Sequence, residues 1–133
     1  MDSVRLENYE ITLLTAKEYR KYKSAIPYIN DWWWLRSPGS TDGRAAYVCP
    51  KGAVLTRGDG VRSDDDAVRP VLKSDEITQS IGEQFVFIGN RWTVIGPHVA
   101  ISNGIIATRR YDSVSNIWET SELKAWLEFW AQM

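Results

Sequence analysis

The sequence predicts an α+β fold, twisted antiparallel sheets carrying two amphipathic helices, within a single domain over residues 1–133. Three observations predict it. Short β-branched and aromatic runs recur between turn signals along most of the chain. A capping sequence at Thr15 and an apolar stripe from Leu123 mark the two helical segments. Hydrophobic residues at 44% against charged residues at 25% give the balance of a folded chain. With 133 residues, a core can be buried without disulfides or metals.

Ile11 to Leu14 reads as a short strand. Thr15-Ala16-Lys17-Glu18 has the form of a capping box, so a helix begins at Ala16 and runs to about Lys23, bounded by Pro27. Asp31 to Gly39 sets three tryptophans before a Ser-Pro-Gly turn. In a strand Trp32 and Trp34 point one way and Trp33 the other, which demands cover on both faces and a central position. Ala45–Cys49 and Ala53–Thr56 form a hairpin around Pro50-Lys51-Gly52. Arg57 to Asp66 lacks hydrophobic periodicity and reads as an exposed loop. Ala67 to Leu72 returns to strand character, with Pro70 suggesting an edge or a bulge.

Residues 73–82 are polar and connect a first half, 1–72, to a second, 83–133. Gln84–Ile88 and Arg91–Ile95 flank Gly89-Asn90, a two-residue hairpin signal, and a shorter hairpin is expected around Asn103-Gly104. Leu123, Trp126, Leu127 and Trp130 fall at i, i+3, i+4 and i+7. They form one stripe of a helix capped by Thr120 or Ser121, each side chain worth about 1.5 to 3 kcal/mol when buried.

A net charge of −1 argues against a general nucleic-acid binder, which needs a surplus of Lys and Arg on one face. The single cysteine, Cys49, cannot form an internal disulfide and reads as a small buried apolar side chain. Met1 to Leu6 carries no leader-like run, and nothing approaches eighteen consecutive apolar residues, so a cytoplasmic, non-membrane protein is expected.

Few residues carry chemistry. The one histidine, His98, follows Pro97 in a turn and cannot by itself build a zinc site. Asp59 with Asp64-Asp65-Asp66 is the best candidate for a hard cation, but it lacks EF-hand spacing, and a solvated acidic loop is the favoured reading. Arg57-Gly58-Asp59 matches an adhesion tripeptide that arises readily by chance. Glu119 and Glu122 belong to the solvent side of a helix's first turn. No phosphate loop is present, and no catalytic residue, metal or cofactor is assigned. Arg36 and Arg69 stand inside apolar strand sequence, where a guanidinium must find an ion pair or backbone carbonyls. Of the seven tryptophans, Trp34, Trp92, Trp118 and Trp126 read as packing, together with Leu123; Trp33 or Trp130 is left to anchor an interface.

Trp33 to Gly39, reading WWLRSPG, with Ala45-Ala46-Tyr47-Val48, Gly52-Ala53-Val54 and Val68-Arg69-Pro70-Val71-Leu72, resembles the signature of an uncharacterised domain family of Gram-positive bacteria and their phages. The same order of Trp-rich strand, loop, glycine turn and VRP strand is similar to the C-type-lectin-like fold. Trp92 to Ile95 and Trp118 to Leu127 resemble that family's second block, which precedes WWLRSPG in the family and follows it here, a permuted order. The resemblance spans most of the chain. It implies a scaffold whose loops, Ser40–Arg44 and Arg57–Asp66, do the recognising. The expected binding residues are therefore Asp42, Arg44, Arg57, Asp59, Arg62, Asp64 and Asp65, with Trp33 as anchor.

The expected function is a non-catalytic module that binds a host protein or small ligand, with a homodimer open. A narrower alternative is a phage-encoded inhibitor of a bacterial defence system, blocking a CRISPR nuclease complex or sequestering a signal nucleotide. A lectin-fold enzyme is a third reading, weakened because such catalysts need a cysteine pair or a metal.

Overall fold

Apolar runs punctuated by glycine and proline turns assemble into two five-stranded sheets in a computed structural model that describes residues 8–132. Met1 to Leu6, where no leader is expected, lies outside the described residues. The strands are β1 (Glu10–Thr12), β2 (Trp33–Pro38), β3 (Arg44–Val48), β4 (Val54–Gly60), β5 (Ala67–Val68), β6 (Val71–Lys73), β7 (Gln84–Phe87), β8 (Asn90–Gly96), β9 (Val99–Ser102) and β10 (Ala107–Thr108). The helices are α1 (Ala16–Tyr22) and α2 (Glu122–Ala131). One sheet runs β1-β6-β9-β8-β7, antiparallel throughout. The other runs β10-β5-β2-β3-β4 and is antiparallel except where β2 lies parallel to β5. No helix among the described residues is long and apolar enough to cross a membrane.

α1 starts where its capping box demands: Glu18 N–H donates to Thr15 Oγ1 and Thr15 N–H donates to Glu18 Oε1. The same Glu18 carboxylate takes Lys73 Nζ at 2.7 Å from one sheet and Arg36 Nη2 at 3.5 Å from the other, so the cap also pins α1 across both. Ser121 caps α2 by accepting from Lys124 N–H. Leu123, Leu127 and Ala131 bury the helix's inner face, while Trp126 and Trp130 stack on each other half-buried at its edge.

Alternation along β2 sorts the core. Trp33 joins Leu14, Tyr19, Val48, Val71 and Ile101 beneath α1. Trp34 joins Leu13, Val68, Tyr111, Trp118, Leu123 and Leu127 beneath α2. Both faces of the strand are covered, as three consecutive tryptophans require, and β2 is the middle strand of its sheet. A third cluster, Leu72, Ile77, Trp92, Val94 and Ala100, lies on the other sheet and receives Trp130.

Four local expectations are corrected. The Ala67–Leu72 run is neither an edge nor a bulge: it crosses between sheets, β5 pairing in one and β6 in the other, with Arg69-Pro70 at the crossing. Pro70 lacks the N–H that would continue a ladder, so the chain changes partners there. The β7–β8 turn is centred on Ile88-Gly89, not Gly89-Asn90, with φ of 44° and 77° and Phe87 opposite Asn90. An isoleucine tolerates that backbone because its side chain packs on the Trp92 cluster. Asn103-Gly104 does not close a hairpin, since β9 pairs with β6 and β8 while β10 pairs with β5. Finally, Arg57 to Gly60 is not loop but the end of β4.

Candidate functional site

The face of the β2–β3–β4 sheet that carries Trp34 also carries an acidic and aromatic patch at its rim. Tyr47 lies opposite Trp34, Asp59 opposite Ala45, and Trp32 sits just before β2. Trp32 is 43% exposed and leans on the Tyr47 ring at 5.4 Å. Ala67 N–H donates to Trp32 O, which brings Asp66 beside Asp31. Burial raises the Tyr47 phenol's pKa, and the nearby Asp59 and Asp66 charges push it further up.

Two glycines shape this corner. The register between β3 and β4 shifts between Ala45 and Tyr47, and Gly58 fills the shift at φ 92°. A Cβ there would sit 2.7 Å from Ala45 O, and one on Gly39 would sit 2.6 Å from Arg57 O. The glycine of WWLRSPG is thus a backbone crossing point, held by Ser40 N–H donating to Arg57 O. Arg44 closes the corner by donating to Gly58 O at 2.8 Å. With Gly58 buried in this crossing, Arg57-Gly58-Asp59 is part of the sheet and not a free tripeptide.

Asp66 is the unusual group. It is 5% exposed, and Oδ2 has no hydrogen-bond partner. Its carboxyl meets that of Asp59, whose Oδ1 accepts from Gly60 N–H. A bond between two carboxyls needs a proton. Burial first, then that bond and the charges of Asp59, Asp65 and Asp31, push Asp66 up to about 8. At neutral pH Asp66 therefore keeps its proton.

This arrangement makes stability depend on pH. An unfolded Asp releases its proton near 3.8, whereas folded Asp66 keeps it to about 8. Between those values the folded state binds more protons than the unfolded state. The contribution is therefore complete below pH 3.8 and drains as pH rises toward 8, by at most about 1.4 kcal/mol per unit. Asp66→Asn, which donates to Asp59 at any pH, is expected to be more stable than the parent by about 2 kcal/mol at pH 9. The gap should narrow steadily toward pH 4. Urea unfolding across that range checks it, and parallel stability curves would refute a proton retained on folded Asp66.

Of the residues the sequence assigns to binding, Asp59 lies in the patch and Asp65 acts on it. Arg44 and Arg62 line a separate groove of about 370 Å³ with Ser113, and Asp42, Arg57 and Asp64 are exposed. Trp33 is corrected: it is 2% exposed, edge-on to Tyr19 at 5.5 Å, with the Arg69 guanidinium 5.2 Å over its ring, so it cannot anchor a surface. Trp34, Trp92, Trp118 and Leu123 are buried. Trp126 is only half-buried, because it lies at the edge of the stripe with Arg109 over its ring at 4.6 Å.

Arg36 Nε donates to Leu13 O, and Arg69 donates to Ser102 O, Pro27 O and Asn103 O, both acting as carbonyl clamps. His98 sits in the β8–β9 turn at φ 62°, Nδ1 3.0 Å from Ile77 O. Cys49 is half-buried and not fully buried, because it follows β3 and opens the hairpin turn that Gly52 N–H closes on its carbonyl. Among the described residues no group of three or more His, Cys, Asp or Glu is placed to hold a metal ion.

Sequence reading does not assign Trp32, Tyr47 or Asp31 to the site, and it places Asp66 in a solvated acidic loop, whereas Asp66 is buried. The available signal for Asp66 is its position directly before the apolar Ala67-Val68, which makes it the one acid of the run drawn into the strand's burial. No match to the chain was found among family models, curated proteins or solved structures.

Proposed function

We propose that this chain is a non-catalytic binding module, built on a C-type-lectin-like scaffold, whose Trp32–Asp66 patch takes a basic side chain from a partner protein. The observation that carries this reading is the Asp66 carboxyl, nearly inaccessible and lacking a donor, held beside Asp59, with the exposed Trp32 next to the Asp66–Ala67 backbone. Such an arrangement is costly when empty. A lysine or arginine brought to it displaces the Asp66 proton, pairs with two carboxylates and lays its charge near an aromatic face. Arg44 is spent on the Gly58 carbonyl. An inhibitor of a host defence component is one form this activity takes when the basic group belongs to a defence protein.

Short Arg- or Lys-containing peptides, titrated against ¹⁵N-labelled protein, test the reading. They should shift the Trp32 indole and the Asp59 and Asp66 amides, more strongly at pH 8 than at pH 6 because binding expels a proton. Glutamate peptides should not, and Asp59→Asn with Asp66→Asn should abolish the response. Equal shifts from acidic peptides, or an unchanged response in the double variant, would remove the patch as the site.

A further inference from the structure

We propose a second, oppositely charged site on the far side of β2, a pocket that binds a small molecule carrying an oxyanion and an aromatic or other flat apolar group. It lies between α1, the Pro27–Ile29 segment and the β3–β4 turn, with a volume of about 180 Å³. At roughly 30 Å³ for each water, that is room for a phosphate or carboxylate together with part of its carrier.

The charge of the pocket is one-sided. Arg69, Lys23 and Lys51 line it and no Asp or Glu does. Neither lysine makes an ion pair with any described residue. Arg69 is 1% exposed, and burial lowers its pKa only to about 10, so it stays cationic at neutral pH. Its three hydrogen bonds run from Nε and Nη2 to backbone carbonyls, leaving Nη1 without a partner. Nη1 is not among the sealed polar atoms, and Arg69 lines the pocket. A guanidinium with neutral acceptors on two nitrogens and two spare N–H groups on the third lacks a counter-anion, and an oxyanion supplies one.

The walls select the rest of the ligand. Tyr19 and Trp33 meet edge to face with the Arg69 guanidinium over the indole, and the exposed Tyr28 stands at the rim. The two buried rings form an apolar floor, and the open Tyr28 ring favours a flat apolar group behind the anion. Cys49 lines the same pocket, and the Lys51 backbone N–H turned to its sulfur holds the thiol below its ordinary range. As the chain's single cysteine it is a built-in reporter of occupancy.

The test uses phenyl phosphate, benzoate, inorganic phosphate and neutral benzyl alcohol, read by amide shifts at Lys51 and Gly52 and by the rate of Cys49 alkylation. Phenyl phosphate and benzoate should shift those amides and slow alkylation, the stronger of the two naming the native head group. Inorganic phosphate should bind more weakly and benzyl alcohol should do neither. Lys23→Gln with Lys51→Gln, two exposed positions whose loss leaves the fold intact, should weaken binding about tenfold. Protection by benzyl alcohol equal to that by phenyl phosphate, no response to any anion, or full affinity in the double variant would overturn the proposal. None of these readouts involves Asp59 or Asp66, so the two sites succeed or fail separately.

Discussion

Replacing Arg69 with methionine is expected to lower stability by about 4 kcal/mol, a fall in melting temperature of roughly 12 °C for a chain of this size. Two effects oppose each other. Removing a cation that is 1% exposed relieves a desolvation penalty, visible in the lowered pKa of the guanidinium. Against that, Ser102 O, Pro27 O and Asn103 O lose charge-assisted donors at 2.8, 2.7 and 3.1 Å. Each such bond is worth about 1.5 to 3 kcal/mol, so three of them outweigh the relief. Methionine keeps most of the stem's volume and limits the cavity, so the loss reports the polar clamp. Arg69→Lys, with one charged nitrogen that cannot span all three carbonyls, should fall between. Thermal and urea unfolding followed by circular dichroism measure both, and a loss under about 1 kcal/mol for the methionine variant would show the clamp to be dispensable.

Gly58→Ala should cost about 3 kcal/mol, from two sources at one atom. The residue sits at φ 92°, which an alanine adopts only with strain, and the new methyl would meet Ala45 O at 2.7 Å. That oxygen belongs to backbone in a ladder and has nowhere to retreat. Gly39→Ala should be nearly as damaging without any backbone strain, because its Cβ would lie 2.6 Å from Arg57 O. The two glycines touch, the Gly58 Cβ position lying 3.1 Å from the Gly39 Cα, so the double variant should lose less than the sum. A Gly58→Ala protein melting within about 2 °C of the parent would disprove the crowded crossing.

What the sequence makes legible follows from how local the controlling physics is. The α1 capping box and the Ser121 cap depend on residues three apart, and both are where the pattern puts them. The covered faces of β2 follow from alternation alone. Partner choice is different: nothing near Asn103-Gly104 tells that β9 and β10 join different sheets. Tyr111 is 0% exposed although Arg110 and Asp112 flank it; its hydroxyl donates to Arg36 O, seventy-five positions away. The patch was half legible for the same reason. Asp59 stands out as an acid on a turn-rich stretch, while Trp32, Tyr47 and Asp66 converge only through the β2–β3 and β2–β5 pairings.

The crossing at Arg69-Pro70 reaches beyond static architecture. One sheet borrows β1 from ahead of the other, which in turn borrows β10 from behind. Neither can therefore be finished from an uninterrupted stretch of chain. During synthesis the sheet holding the triple tryptophan stays open at one border until residue 108 has left the ribosome, and α2, which seals its face, emerges later still. Until those residues have emerged the nascent chain carries bare indoles, and that interval is a period of vulnerability to aggregation.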